Sequence, residues 1–113
     1  MKDLPKAGFY EIALVFIGSL HKYICEGESM NPILRDGEVV LVDRDVERVD
    51  AGDIVVIKDP IGQASELIKR VERIDSRGNY FVVGENLSDS NDSRDFGAVA
   101  RDRIKGKVVA RLG

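Results

Sequence analysis

The feature that most constrains this chain is a series of valine-rich runs separated by turn signals. "EVVLVDR" (38–44), "DIVVIK" (53–58), "YFVVG" (80–84) and "RIKGKVVARL" (103–112) are rich in β-branched residues, which favour extended backbone. Turn residues fall between them: "RDG" at 35–37, "DAGD" at 50–53, Asp59-Pro60, and "DSRGN" at 75–79. Proline has no amide donor, so Asp59-Pro60 closes a strand. "ELIKRVERI" (66–74) reads as a further strand, with helix as the alternative, and "DSRGN" joins it to "YFVVG" as a hairpin with a Gly-containing loop. "HKYICEG" (21–27) reads as a strand leading into a tight corner. The pattern predicts a mainly β domain, closed or partly open, with a short N-terminal helix. The apolar positions do not alternate cleanly, so some strands are expected to be buried on both faces.

A chain of 113 residues fits one domain and can bury a core without disulfide staples. Hydrophobic residues make up 43% and charged residues 33%, a globular balance and not a disordered one. The net charge of -3 argues against nucleic acid as a partner. Cys25 and His21 are the single cysteine and single histidine. They cannot form a disulfide or a closed zinc site, and nothing in the sequence calls for a cofactor or metal. A Cys–His pair on a helical turn is conceivable from the spacing. Cys25 in its apolar-rich stretch reads more simply as a small core residue.

"FYEIALVFIGSL" (9–20) is mostly apolar but shorter than the roughly 20 residues that a spanning helix needs. It also reads poorly as a signal peptide. A helix packed on the body of the protein is favoured over one lying in a membrane interface. The chain is therefore divided into an N-terminal apolar segment, 1–22, and a core, 23–113.

The corner "EGESMNPIL" (26–34) places Ser29 between polar residues and Met30, with Pro32 beyond. A serine hydroxyl is a weak nucleophile unless a neighbour takes its proton. His21 has no evident orienting carboxylate. A lysine can serve if burial against apolar groups favours its neutral form. Lys69 is the candidate: on a strand it shares a face with Leu67 and Val71, although on these residues alone a snorkelling side chain is the favoured reading. Arg70 and Arg73 read as solvated or ion-paired. "SLHK" (19–22) matches S-x-x-K, but it lacks the companion motifs and the chain is too short for that fold. The polar stretch "SDSNDSR" (88–94) reads as a solvated loop, or as a rigid one in which Asp92 pairs with Arg94 and a serine orients a lysine.

Taken together, these segments resemble the type I signal peptidase superfamily. "GESMNPIL" is similar to its serine box, "GDIVVIK" to the Gly-Asp strand box, "IKRVERI" to the lysine box, "GENLSDSNDSRDFGAV" to the late Gly-Asp-Asn and Ser-x-Asp-Ser-Arg box, and "IKGKVVARL" to the closing strand. The resemblance implies a coiled, LexA-like β-sheet and a serine endopeptidase with a Ser29–Lys69 dyad. It implies an oxyanion donor in the Ser29 amide, with no side-chain donor at Gly27. Met30 and Pro32 would shape the corner and cleft, Ser90 would orient Lys69, and Asp92 and Arg94 would hold the loop. Ile33, Glu38 and Glu85 depart from the usual threonine, aspartate and aspartate. Compactness resembles the branch that matures nickel superoxide dismutase, which implies a precursor protein as substrate and a cytoplasmic enzyme, with peripheral membrane contact through 9–20 as an option. Membrane-associated signal peptidases and self-cleaving LexA/UmuD-type regulators are the alternatives.

Overall fold

A computed structural model describes residues 4–9, 18, 20–45, 48–62, 64–86 and 91–112. The strands are β1 (His21–Ile24), β2 (Val39–Asp43), β3 (Ile54–Lys58), β4 (Glu66–Ile74), β5 (Tyr80–Val83) and β6 (Ile104–Arg111). One short helix, α1 (Ser93–Phe96), and a 3-10 turn (Arg101–Arg103) lie between β5 and β6. The strands form one six-stranded sheet in the order β1-β2-β6-β3-β4-β5, and every pairing is antiparallel. The mainly β expectation holds, and "ELIKRVERI" is a strand rather than a helix. The 75–79 turn is the expected hairpin, closed by the Asp75 N–H on the Asn79 carbonyl at 2.9 Å.

The sheet has apolar side chains on both faces, because β3 has them on both. Ile54 and Val56 join a layer with Cys25, Met30, Leu34, Val40, Val42 and Val108. Val55 and Ile57 point the other way, into a layer with Val49, Val71, Tyr80, Val82, Val99 and Ile104. This explains why the valine runs do not alternate: a strand buried on both faces needs no polar side. Register shifts at Leu41/Val42, Val56/Ile57 and Val71/Arg73 mark irregularities that bend strands and increase twist. Among the described residues the outer strands β1 and β5 do not pair with each other, so the sheet is coiled but open.

Most of the apolar segment 9–20 lies outside the described residues, and so does the helix expected there. Phe9 is described and is 90% exposed. Residues 5–7 run beside the end of β6: the Ala7 N–H donates to the Arg111 carbonyl at 2.8 Å, and the Arg111 N–H donates to the Pro5 carbonyl at 3.0 Å. No helix of the described residues is long and apolar enough to cross a membrane.

Gly106 marks the tightest crossing in the sheet. A Cβ there would stand 2.4 Å from Val42 Cγ1 and 3.0 Å from the Asp43 carbonyl oxygen. Overpacking of this kind costs about 1–3 kcal/mol. Gly106→Ala is expected to lower stability by about 2 kcal/mol, measured by urea unfolding. An unchanged midpoint would show that β2 and β6 can separate at no cost.

Candidate active site

The corner after β1 is built by backbone geometry. The β1–β2 ladder continues one step past Ile24: the Cys25 N–H donates to the Glu38 carbonyl, and the Gly37 N–H to the Cys25 carbonyl, both at 2.7 Å. The chain then turns at Gly27, whose φ of +83° is a left-handed conformation that disfavours any side chain. Its N–H donates to Asp36 Oδ1 at 2.8 Å. Gly27 thus serves the turn itself. Met30 is 1% exposed and Leu34 0%, and both are sunk in the first core layer. They pin the corner from inside and leave Ser29 half-buried at its surface.

Lys69 reaches this corner from β4. It pairs with Val55 across the β3–β4 ladder and lies between Leu67 and Val71, both in the second core layer. Its side chain is only 2% exposed. Its Nζ donates to Ser29 Oγ at 2.8 Å, across 40 residues of sequence. Burial at this depth penalises the ammonium form, which is the direction a general base requires. Among the described residues no acceptor takes the Ser29 N–H, which leaves it available to a developing oxyanion.

The chain belongs to the signal peptidase family. The family model described as "Signal peptidase, peptidase S26" matches residues 6–74 and 75–112. The mitochondrial inner membrane protease subunit 1 of Xenopus tropicalis is 30% identical, over 88% of this chain and 72% of that protein. Its counterpart in Schizosaccharomyces pombe is 31% identical over 86% of this chain and 79% of its own length. Signal peptidase I T of Bacillus subtilis is 29% identical over 74% of this chain and 69% of its own length. Membership makes the chain a serine endopeptidase with protein substrates.

In this signal peptidase-like chain the Ser29 backbone is held from the opposite side by the segment after β5. The Asn86 N–H donates to the Ser29 carbonyl at 2.8 Å. Gly84 lies so close that a Cβ would fall 2.7 Å from that same oxygen. Gly84 is held in turn by Asp92, whose Oδ2 accepts its N–H at 2.9 Å. Asp92 is 0% exposed and caps α1, accepting from the Arg94 N–H at 3.0 Å. The Arg94 guanidinium pairs with both of its oxygens. Ser93 Oγ accepts the Val82 N–H at 2.8 Å. Asp92 and Arg94 therefore form the expected pair, and the pair clamps Gly84. Ser90 and its bearing on Lys69 lie outside the described residues.

Three placements were not legible beforehand. Arg70, read as solvated or ion-paired, is ion-paired but 2% exposed. It meets Glu85 and donates to the Gly52 carbonyl at 2.7 Å. Pro32 faces a cavity shared with Leu4, Ile33, Arg35, Glu38 and Arg111, and Met30 is core, so neither lines the hollow beside Ser29. That hollow, about 530 Å³, runs between residues 22–26 and 64–69. Cys25 lies on its wall and is the core residue expected. Burial, with help from Glu38 and Asp36, raises its thiol to about 11.

Burial alone would raise the Asp92 carboxyl, but hydrogen bonds from the Arg94 side chain and from the Gly84 and Arg94 amides outweigh it. They hold the group below its ordinary 3.8. The unfolded chain therefore takes up the proton first. The stabilisation is complete above that value and is lost as pH falls through the lower folded one. Below about pH 4, the wild type should lose stability with acid more steeply than Asp92→Asn, which should be less stable at neutral pH. Parallel pH–stability curves from thermal melts would remove Asp92 from this role.

Proposed function

We propose that Ser29 and Lys69 are the catalytic dyad of an endopeptidase that removes an N-terminal peptide from a precursor protein. The observation that carries this is the 2.8 Å contact between a buried lysine and a half-buried serine. Ser29 Oγ attacks the scissile carbonyl carbon as its proton passes to Lys69 Nζ. The oxyanion is met by the Ser29 N–H. Lys69 then gives the proton to the departing amine, and the acyl group stays on Ser29. Water, deprotonated by Lys69, releases it.

The hollow supports a peptide substrate. β1 is an outer strand of the sheet. Residues 66–69 of β4 pair with β3, whereas β5 pairs only from Arg70 onward. Among the described residues, β1 and the 66–68 stretch of β4 have no strand partner on the sides that border one groove, which ends at Ser29 and Lys69. An extended chain laid there finds main-chain partners.

The first precursor to test is that of a nickel superoxide dismutase, cleaved in the cytoplasm, as the resemblance to the compact branch implies. The names of the relatives favour a second reading, a protease acting on preproteins at a membrane, with residues 9–20 as the contact. Intact-mass analysis of the dismutase precursor co-expressed with this chain separates them. Loss of a short N-terminal peptide with wild type, but not with Ser29→Ala, supports the first. A precursor left whole, while a preprotein is cleaved in the presence of membranes, supports the second. Lys69→Ala should lower cleavage by at least about a thousandfold with the circular dichroism spectrum unchanged. Full activity in that variant would sink the dyad.

A further inference from the structure

We infer that Asp59 is a positioning residue for substrate: it fixes Ala64 and Ser65, in the loop that follows β3, as the outer wall of the groove and so sets the KM of peptides long enough to reach them. The inference rests on the Ser29–Lys69 reading above.

Asp59 follows the last residue of β3 and lies in a surface loop, yet it is 4% exposed. Its two carboxylate oxygens divide the loop between them. Oδ1 accepts the Ile61 N–H and Oδ2 the Ala64 N–H, each at 2.9 Å. One side chain therefore ties the outgoing half of the loop to the returning half. Gly62, between them, has a φ of +84°, the turn that lets the chain double back. Hydrogen bonds to an ionised acceptor are roughly twice as strong as neutral ones. A hairpin loop of this length would otherwise sample many conformations.

The returning half of the loop is part of the groove. Ala64 and Ser65 line the same hollow as Ser29 and Lys69, facing Lys22–Glu26 on the other wall. Ala64, two residues before β4, and Lys69 within it are separated along the chain by at most on the order of 17 Å, at roughly 3.3 Å per residue. A peptide bound there meets Ala64 and Ser65 with a residue about four or five positions from the scissile bond. Displacing these two residues narrows or opens the far end of the groove and leaves the dyad alone. Because β3–β4 pairing begins at Lys58 and Glu66, the ladder holds Lys69 without help from the loop.

Asp59→Asn tests this. The substituted amide keeps one acceptor but turns a donor toward either the Ile61 or the Ala64 N–H. Gly62→Ala perturbs the same loop through its backbone without touching Asp59. A decapeptide library is digested with wild type. The best-cleaved decapeptide is identified by mass spectrometry, then resynthesised and shortened stepwise from each end. In Asp59→Asn the KM of the decapeptide should rise about tenfold, with kcat within about twofold. Gly62→Ala should move KM in the same direction. Shortening the end that lies along the groove to two residues should bring the kcat/KM of wild type and variants together. A merely structural role would lower activity on short and long peptides alike. That result, or an unchanged KM for the decapeptide in both variants, overturns the inference while the dyad stands. A wild type that leaves the whole library intact, or cleavage that persists in Ser29→Ala, overturns the dyad and this inference with it.

Discussion

β3 has core on both of its faces, and much else follows from that. Val55 pairs with Lys69 on one side and Lys107 on the other; along the strand Ile54 and Val56 feed one apolar layer, and Val55 and Ile57 the other. A sheet with two apolar faces must be covered twice. In this chain the described covering is mostly loop. Met30 and Leu34 cover one layer, and Val49 and Val99 the other. The corner that presents Ser29 is thus also a lid on the core. Its hold on that core comes from burial, which is worth about 1.5–3 kcal/mol for each large apolar side chain.

A serine on a lid needs fixing in two further directions, and polar groups supply them. From one side, Asn86 and Gly84 bracket the Ser29 carbonyl, with Asp92 holding Gly84. From the other, the β3–β4 ladder delivers Lys69 to hydrogen-bonding distance. Asp92 brings a buried carboxylate into the structure, and its arginine partner with two backbone donors offsets the desolvation. The proposed Ser29–Lys69 dyad would tolerate little looseness, and the polar clamp and the apolar anchor act on the same few atoms.

Much of this was legible in the sequence. Valine runs and turn residues located the strands, and the mixed burial followed from the missing alternation. Lys69 stood out because Leu67 and Val71 flank it at strand spacing, and Asp92 and Arg94 stood out as a local pair. Some of what escaped depended on distant partners. Arg70 is next to Lys69 in sequence, but its burial depends on Glu85 and the Gly52 carbonyl, which no local pattern announces. Gly84 closes a valine run like any strand-ending glycine, and only the approach of Ser29 shows why a side chain would not fit. Asp59 read as the end of a strand, since the two amides it gathers lie beyond a proline and a glycine. Pro32 lines another cavity, and Met30, its near neighbour, lies in the core.

The groove contains two atoms that could attack a carbonyl, and the fold selects between them. Sulfur is intrinsically the better nucleophile, but only as thiolate. With its thiol raised to about 11 by burial, Cys25 stays almost wholly in the un-ionised form at neutral pH. Ser29, the poorer nucleophile, has the lysine. The same burial that makes Cys25 a packing atom also shelters it from oxidants and alkylating reagents, which react with thiolates. The wall of the groove therefore contains sulfur without sulfur chemistry, and a reagent that silences cysteine proteases should find little here to modify.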